Sequence, residues 1–126
     1  MKPAIFEYFA PATLDETLEL LHQHGDEAKI LAGGQSLMPL MNLRLARPKV
    51  IIDINRLSGL DRIALTGEGG LAIGALARHR AVEKSALVRE QNPLLGSAMP
   101  LIGHFQIRNR GTMGGRLAPA DPAARL

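Results

Sequence analysis

Apolar residues recur along this chain in two rhythms, and the switches between them mark out its elements. Residues 4–9 alternate loosely and read as a strand, closed by Ala10-Pro11. Thr13-Leu14-Asp15-Glu16 is a capping box in which Thr13 caps and Glu16 reaches back. Leu14, Leu18 and Leu21 follow at helical spacing with Leu20 beside them, which predicts a helix over residues 13–22 ended by Gly25 as its C′ residue. Ile30, Leu31 and Ala32 predict a short buried strand over residues 29–32, and Gly33-Gly34 ends it. Residues 36–45 hold Leu37, Leu40, Met41, Leu43 and Leu45, a short helix interrupted near Pro39. Pro48 breaks that segment, and residues 50–54 are the plainest strand in the chain. Strand, crossover, strand predicts a parallel pair with a right-handed connection, covered by the first helix.

After Asn55 the pattern changes. Residues 62–66 and 71–75 are predicted strands of a hairpin turning at Gly67-Glu68-Gly69-Gly70. This change from crossover to hairpin predicts a boundary between Asn55 and Leu60, dividing the chain into residues 1–57 and 58–126. Residues 78–85 and 86–91 read as short helical pieces, and residues 93–103 as one longer helix. A second glycine-rich stretch follows, Asn109-Arg110-Gly111-Thr112-Met113-Gly114-Gly115-Arg116. Asp121-Pro122 then has the form of a helix start, Asp as N-cap and Pro at N1. The sequence runs one turn beyond it, which is read as a second subdomain cut short.

Composition narrows the function classes. The 126 residues are 46% hydrophobic, enough for a core, and with three Phe, one Tyr and no Trp that core is aliphatic. So few stacking platforms argue against single-stranded nucleic acid. The net charge of +3 is uneven: residues 1–27 carry six acids and one lysine, whereas Arg108, Arg110, Arg116 and Arg125 face only Asp121 in the last 26 residues. A basic end suits a small anionic ligand or a polar partner surface, and is too sparse for a duplex. The absence of cysteine removes disulfides, Cys-ligated zinc and Cys-ligated iron–sulfur clusters. The start lacks a signal-peptide core and no apolar run has membrane-spanning length, so a cytoplasmic protein is expected. His22 and His24 do not share a helix face and read as solvated end residues, not metal ligands. Arg78-His79-Arg80 reads as a solvated helix start, and Ser36, Ser58, Ser85 and Ser97 as caps or turn residues. No catalytic set and no metal site is expected.

The chemistry lies in the two glycine stretches. A strand ending in Gly-Gly leaves bare backbone N–H groups, and glycine tolerates φ > 0 and close approach. If Ser36 opens a helix, the amides of Gly33, Gly34, Gln35 and Ser36 can hold a phosphate. With Gly114-Gly115 as a second nest, the pair predicts a cradle for a diphosphate from two sides. No Gly-x-Gly-x-x-Gly follows the first strand and no Gly-Lys-Ser/Thr is present, so the site is neither Rossmann nor P-loop. A strand-to-helix turn without a ligand is the alternative.

At this point the residues resemble a family. Ala32-Gly33-Gly34-Gln35-Ser36-Leu37, Arg44-Leu45-Ala46-Arg47-Pro48, Ile73-Gly74-Ala75 and Gln106-Ile107-Arg108-Asn109-Arg110-Gly111-Thr112-Met113-Gly114-Gly115 are similar, in order, to the FAD-binding medium subunit of molybdenum hydroxylases. Carbon monoxide dehydrogenase and bacterial xanthine dehydrogenase belong to that group. The resemblance implies an α/β (α+β) fold of the vanillyl-alcohol-oxidase type, and it covers less than half of a full subunit. It implies that Ala32, Gly33, Gly34, Gln35, Ser36 and Gly111, Thr112, Met113, Gly114, Gly115 wrap the FAD pyrophosphate. Thr112 would donate its hydroxyl, Ile102 would pack against the cofactor and Asp121 would stand near the ribityl region. It further implies a molybdenum-cofactor large subunit and a 2Fe-2S small subunit as partners, with electrons passing from the latter through the flavin to an external acceptor. Arg116, Pro119 and Arg125 depart from the family pattern. Two other outcomes stay open on these residues: a degenerate copy that binds FAD weakly or not at all, and a simpler phosphate-binding domain that takes ADP as well as FAD.

Overall fold

The computed structural model describes residues 1–118, so Pro119, Asp121, Arg125 and the expected Asp121-Pro122 helix start lie outside the described residues. The chain forms two compact units, Met1–Ser58 and Gly59–Leu126.

In the first unit, strands β1 (Glu7–Phe9), β2 (Ala28–Leu31) and β3 (Val50–Asp53) form a parallel sheet in the order β1-β3-β2. Strand β3 takes the centre because Val50, Ile51 and Ile52 form an unbroken apolar run, and all three are buried. The predicted pair of strands is thus present and parallel, with Ile30 opposite Ile52 and Leu31 opposite Asp53. Strand β1 is shorter than residues 4–9. Its pairing begins at Glu7, whose N–H donates to Lys49 O, and Ile5 is left 99% exposed.

Helix α1 (Leu14–His24) runs slightly beyond the predicted residues. The Thr13 hydroxyl accepts from Glu16 N–H as expected, but the Glu16 carboxylate accepts from Ala12 N–H, one residue before the cap. The buried face also differs. Leu20 and Leu21 pack with Phe9 and Ile54 against Ala28, Val50 and Ile52, while Leu14 and Leu18 are each 54% exposed. Thr17 is buried in the same helix, its hydroxyl donating to Thr13 O. The apolar spacing fixed a helix, but the stripe that faces the sheet is the one through Thr17, Leu20 and Leu21. His24 rests on the Phe9 ring at 5.4 Å, so only His22 is the solvated end residue expected of both.

Helix α2 (Leu37–Asn42) is not interrupted at Pro39. The proline sits in the first turn, where its missing N–H has no intrahelical partner to lose. The helix ends one turn earlier than residue 45 because Arg44 adopts φ 57°, with Arg44 N–H on Met41 O and Leu45 N–H on Leu40 O.

In the second unit, β4 (Ile63–Leu65) and β5 (Leu71–Ile73) pair antiparallel as the predicted hairpin. Gly69 turns it at φ 80°. Short helices follow: α3 (His79–Lys84), α4 (Ala86–Gln91) and α5 (Pro93–Ala98). The single helix predicted over residues 93–103 stops at Ala98 and tightens into a 3-10 turn, Met99–Leu101. Pro100 has no N–H to continue the α-helical ladder. Two further helices follow: α6 (Phe105–Arg110), which ends in the second glycine-rich stretch, and α7 (Met113–Leu117), which takes up most of the rest of it. The core is Ala77, Val82, Val88, Met99, Ile102 and Met113, capped by Ile63, Leu71, Ile73 and Leu95.

An ion-pair centre fastens these short pieces. Glu83 Oε2 accepts from Arg80 Nη1 and from Arg108 Nε, each at 3.1 Å. Arg108 Nη1 also donates to the carbonyls of Pro100, Ile102 and Gly103. Arg108 is therefore engaged inside the unit and is not part of a basic surface waiting for an anion. Burial works to raise the Glu83 carboxyl, but the hydrogen bonds and charges of Arg80 and Arg108 outweigh it and hold it below its ordinary 4.5. A carboxyl depressed in the folded state adds stability above its unfolded value, and loses it as pH falls through the folded one. Glu83→Gln is expected to cost about 1–3 kcal/mol at neutral pH, because Arg108 keeps its burial and loses its counter-charge. Thermal melts of both proteins should converge as pH falls through and below the ordinary carboxylate range; a difference that persists unchanged into strong acid would show that the charge is not what Glu83 contributes.

Candidate functional site

The first glycine stretch leaves the sheet where β2 ends. Gly34 sits at φ 75°, and Met38 N–H closes onto Gly34 O to start α2. Among the described residues, no acceptor meets the N–H groups of Gly33, Gly34, Gln35 or Ser36. The Ser36 side chain makes no capping bond, and Gln35 Nε2 donates back to Gly33 O at 3.2 Å. The result is a row of consecutive unpaired amides that are only partly covered. Such a row suits an anion with several oxygens.

The turn is held from below. Asn55 Nδ2 donates to Ala32 O at 2.7 Å and to Asp53 Oδ1 at 2.7 Å. Asp53 Oδ1 also accepts from Asn55 N–H, and Asp53 Oδ2 accepts from the Tyr8 hydroxyl. That hydrogen bond, first, and the Asp53 charge raise the Tyr8 phenol above its ordinary value. Tyr8, Asp53 and Asn55 were not among the sequence candidates. The one signal for them was the polar Asp53 and Asn55 at the end of an otherwise apolar strand.

The second stretch is built differently. Gly114 and Gly115 lie inside the first turn of α7 and do not form a turn before a helix. Its amides are mostly engaged: Gly111 N–H with Ile107 O, Met113 N–H with Ala77 O, Gly114 N–H with Ala75 O, and Gly115 N–H with Thr112 Oγ1. The expected second row of bare donors is therefore absent from these four positions. The glycines serve packing. A Cβ on Gly114 would meet Ala75 Cβ at 2.8 Å and Ala75 O at 2.9 Å, and one on Gly111 would meet His79 Nδ1 at 3.0 Å. Thr112 is 2% exposed and caps α7, which leaves its O–H free to donate. Ile102 and Met113 have their side chains in the core of the second unit.

His79, read as part of a solvated helix start, is 2% exposed. Among the described residues neither ring nitrogen has a partner at hydrogen-bond geometry, and burial first, then the Arg116 charge, hold the imidazole below its ordinary range against the opposing pull of the Thr112 backbone. Its burial follows from the bridge that joins Arg78 to Thr112, with His79 N–H on Gly111 O. Among the described residues there is no group of three or more His, Asp or Glu that could hold a metal, and no helix is long and apolar enough to cross a membrane. A surface hollow lined by Phe9, Pro11, Glu16, Glu19 and Leu20 contains none of the candidate residues.

Residues 4–126 match the family described as the FAD binding domain in molybdopterin dehydrogenase. The alpha subunit of the 6-hydroxypseudooxynicotine dehydrogenase complex of Paenarthrobacter nicotinovorans is 48% identical over 126 residues, which is 100% of this chain and 42% of that subunit. The beta subunit of caffeine dehydrogenase from a Pseudomonas species is 44% identical over the same length, again 42% of the relative. Among solved structures, a chain of carbon monoxide dehydrogenase from Hydrogenophaga pseudoflava superposes with a TM-score of 0.93 at 46% identity, covering 97% of this chain and 42% of that one. The chain thus spans less than half the length of the relatives it matches.

Proposed function

We propose a function from one premise: this chain belongs to the family of FAD binding domains in molybdopterin dehydrogenases, and FAD is its cofactor. The reading is that it forms the diphosphate-holding part of the medium subunit of a molybdenum hydroxylase. There it would pass electrons from an iron–sulfur subunit to an external acceptor, beside a molybdenum-cofactor large subunit, in the cytoplasm. The observation that carries the reading is the row of unpaired amides at Gly33, Gly34, Gln35 and Ser36. These groups fit a diphosphate: they are fixed donors, closely spaced, on a segment where Gly34 has no Cβ in the way.

When bound, FAD supplies the redox chemistry. The chain's own part is to hold and orient it. Gly33, Gly34, Gln35 and Ser36 would donate to the diphosphate oxygens, and the Ala32 carbonyl would stay turned away, held by Asn55. Thr112 is proposed to donate its hydroxyl to FAD. Gly111, Met113, Gly114 and Gly115 would shape the backbone that presents it, as their engaged amides and packed glycines support. Ile102 is proposed to pack against the cofactor, and Asp121 to stand near its ribityl region.

Titration of the purified chain with FAD, followed by flavin fluorescence, tests the reading. Binding should be displaced by ADP and not by riboflavin, because the donors described here address the diphosphate. A folded chain that takes up no FAD, or that loses it to riboflavin as readily as to ADP, would remove the proposal. Co-purification with the iron–sulfur and molybdenum subunits tests the proposed partners separately.

A further inference from the structure

We infer that Asn55 is a positioning residue that locks the diphosphate turn, and that Tyr8 and Asp53 hold it in place. The inference rests on the FAD reading above and adds residues to that site. The carboxyl ends of all three strands of the first sheet are joined by one run of side-chain hydrogen bonds. It starts at the Tyr8 hydroxyl on β1, passes through both oxygens of Asp53 on β3, and reaches the Asn55 amide. It ends at Ala32 O, the carbonyl that leads out of β2 into Gly33.

The chemistry of the groups in this run orients the Asn55 amide. Asn55 Nδ2 has two hydrogens, and among the described residues it faces two acceptors, Ala32 O and Asp53 Oδ1. The amide nitrogen must therefore face them, and both its hydrogens are used. Asp53 Oδ1 also accepts the Asn55 backbone N–H, so the side chain is held at its root as well as at its tip. The peptide between Ala32 and Gly33 is thereby fixed in orientation. That peptide sets where the Gly33 N–H points, and the following amides inherit its direction. Glycine pairs are otherwise free to rotate, so a turn of Ala32-Gly33-Gly34 without this clamp would sample many orientations. A row of donors gains affinity from being ordered before the ligand arrives.

Asn55→Asp keeps the shape and exchanges the donor for an acceptor that faces two others. Asn55→Ala removes the clamp without adding charge. In the unliganded chain, backbone 15N relaxation should show residues 33–36 losing order in both variants, with β3 unchanged. FAD affinity should fall roughly 10- to 100-fold, as for the loss of one or two pre-ordered hydrogen bonds. Tyr8→Phe should give a smaller effect of the same kind. Residues 33–36 that keep their wild-type order in Asn55→Asp would overturn the inference, as would a disordered turn that binds FAD at wild-type strength. If the wild-type chain itself took up no FAD, the proposed function would fail, while loss of order at residues 33–36 in the variants would still support the clamp.

Discussion

Gly74→Ala is expected to unfold the second unit at temperatures where the wild-type chain is folded. A Cβ built on Gly74 stands 2.1 Å from Leu60 O, 2.5 Å from Leu60 C and 3.0 Å from Asp61 N. These are backbone atoms, and they cannot swing aside as a side-chain tip can. Two hydrogen bonds lace the same crossing: Gly74 N–H to Arg62 O and Leu76 N–H to Leu60 O, each at 2.8 Å. Moving residues 60–61 away would break both bonds and pull β4 off β5. Overpacking and lost backbone hydrogen bonds together give an expected loss of about 2–5 kcal/mol. For a unit of this size that corresponds to a fall in Tm of roughly 10–30 °C. Calorimetry or circular dichroism on the variant reads it directly. A Tm within about 3 °C of wild type would mean that residues 60–61 are free to retreat, against the bonds described here.

Gly34→Val should leave the chain folded and remove FAD. Its Cβ would meet Met38 Cγ at 3.2 Å and Leu31 Cδ1 at 3.3 Å, both flexible side-chain atoms able to give way. The larger obstacle is φ 75°, which a β-branched residue resists by about 1–2 kcal/mol. The backbone relieves this by rotating, and rotation at residue 34 turns the amides on either side out of line. Losing two hydrogen bonds to a charged diphosphate costs about 3 kcal/mol or more, on the order of a 100-fold weaker complex. Gly114→Val makes the instructive contrast. Its Cβ strikes Ala75 within the second unit, so it should lower Tm far more than Gly34→Val does. Measuring Tm and FAD affinity on both variants separates a glycine needed for a ligand from one needed for packing. Wild-type FAD affinity in Gly34→Val would place the diphosphate away from this turn.

Gly34 and Gly114 look alike in the sequence, each in a Gly-Gly pair, and differ in what they meet. The comparison explains why the sequence was a good guide to one half of the site and a poor one to the other. The donors at Gly33, Gly34, Gln35 and Ser36 were legible because their freedom is a local property: a short strand ends, two glycines follow, and the helix after them begins too late to use their amides. The amides of Met113 and Gly114 were misread because their acceptors, Ala77 O and Ala75 O, come from a segment more than thirty residues earlier.

The same division runs through the fold. By itself the sequence determined those starts and turns that follow from neighbours within one helical turn or one hairpin, whereas the start of β1 at Glu7 and the end of α5 at Ala98 were not among them. Thr13 capping at Glu16, the hairpin around Gly69, the buried run of Val50, Ile51 and Ile52, and the Gly33-Gly34 exit were all of this kind. Only the tertiary structure decided which stripe of α1 meets the sheet, since Leu14 and Leu18 are as apolar as Leu20 and Leu21, and the partner surface alone chooses between them. It also decided that Arg108 is held by Glu83 and three carbonyls, that His79 is buried under the bridge to Thr112, and that Asn55 reaches back to Ala32. Each of these is a polar side chain whose role depends on a group distant in sequence. Apolar patterning constrains which face is covered and says nothing of which carbonyl an arginine or asparagine side chain will find.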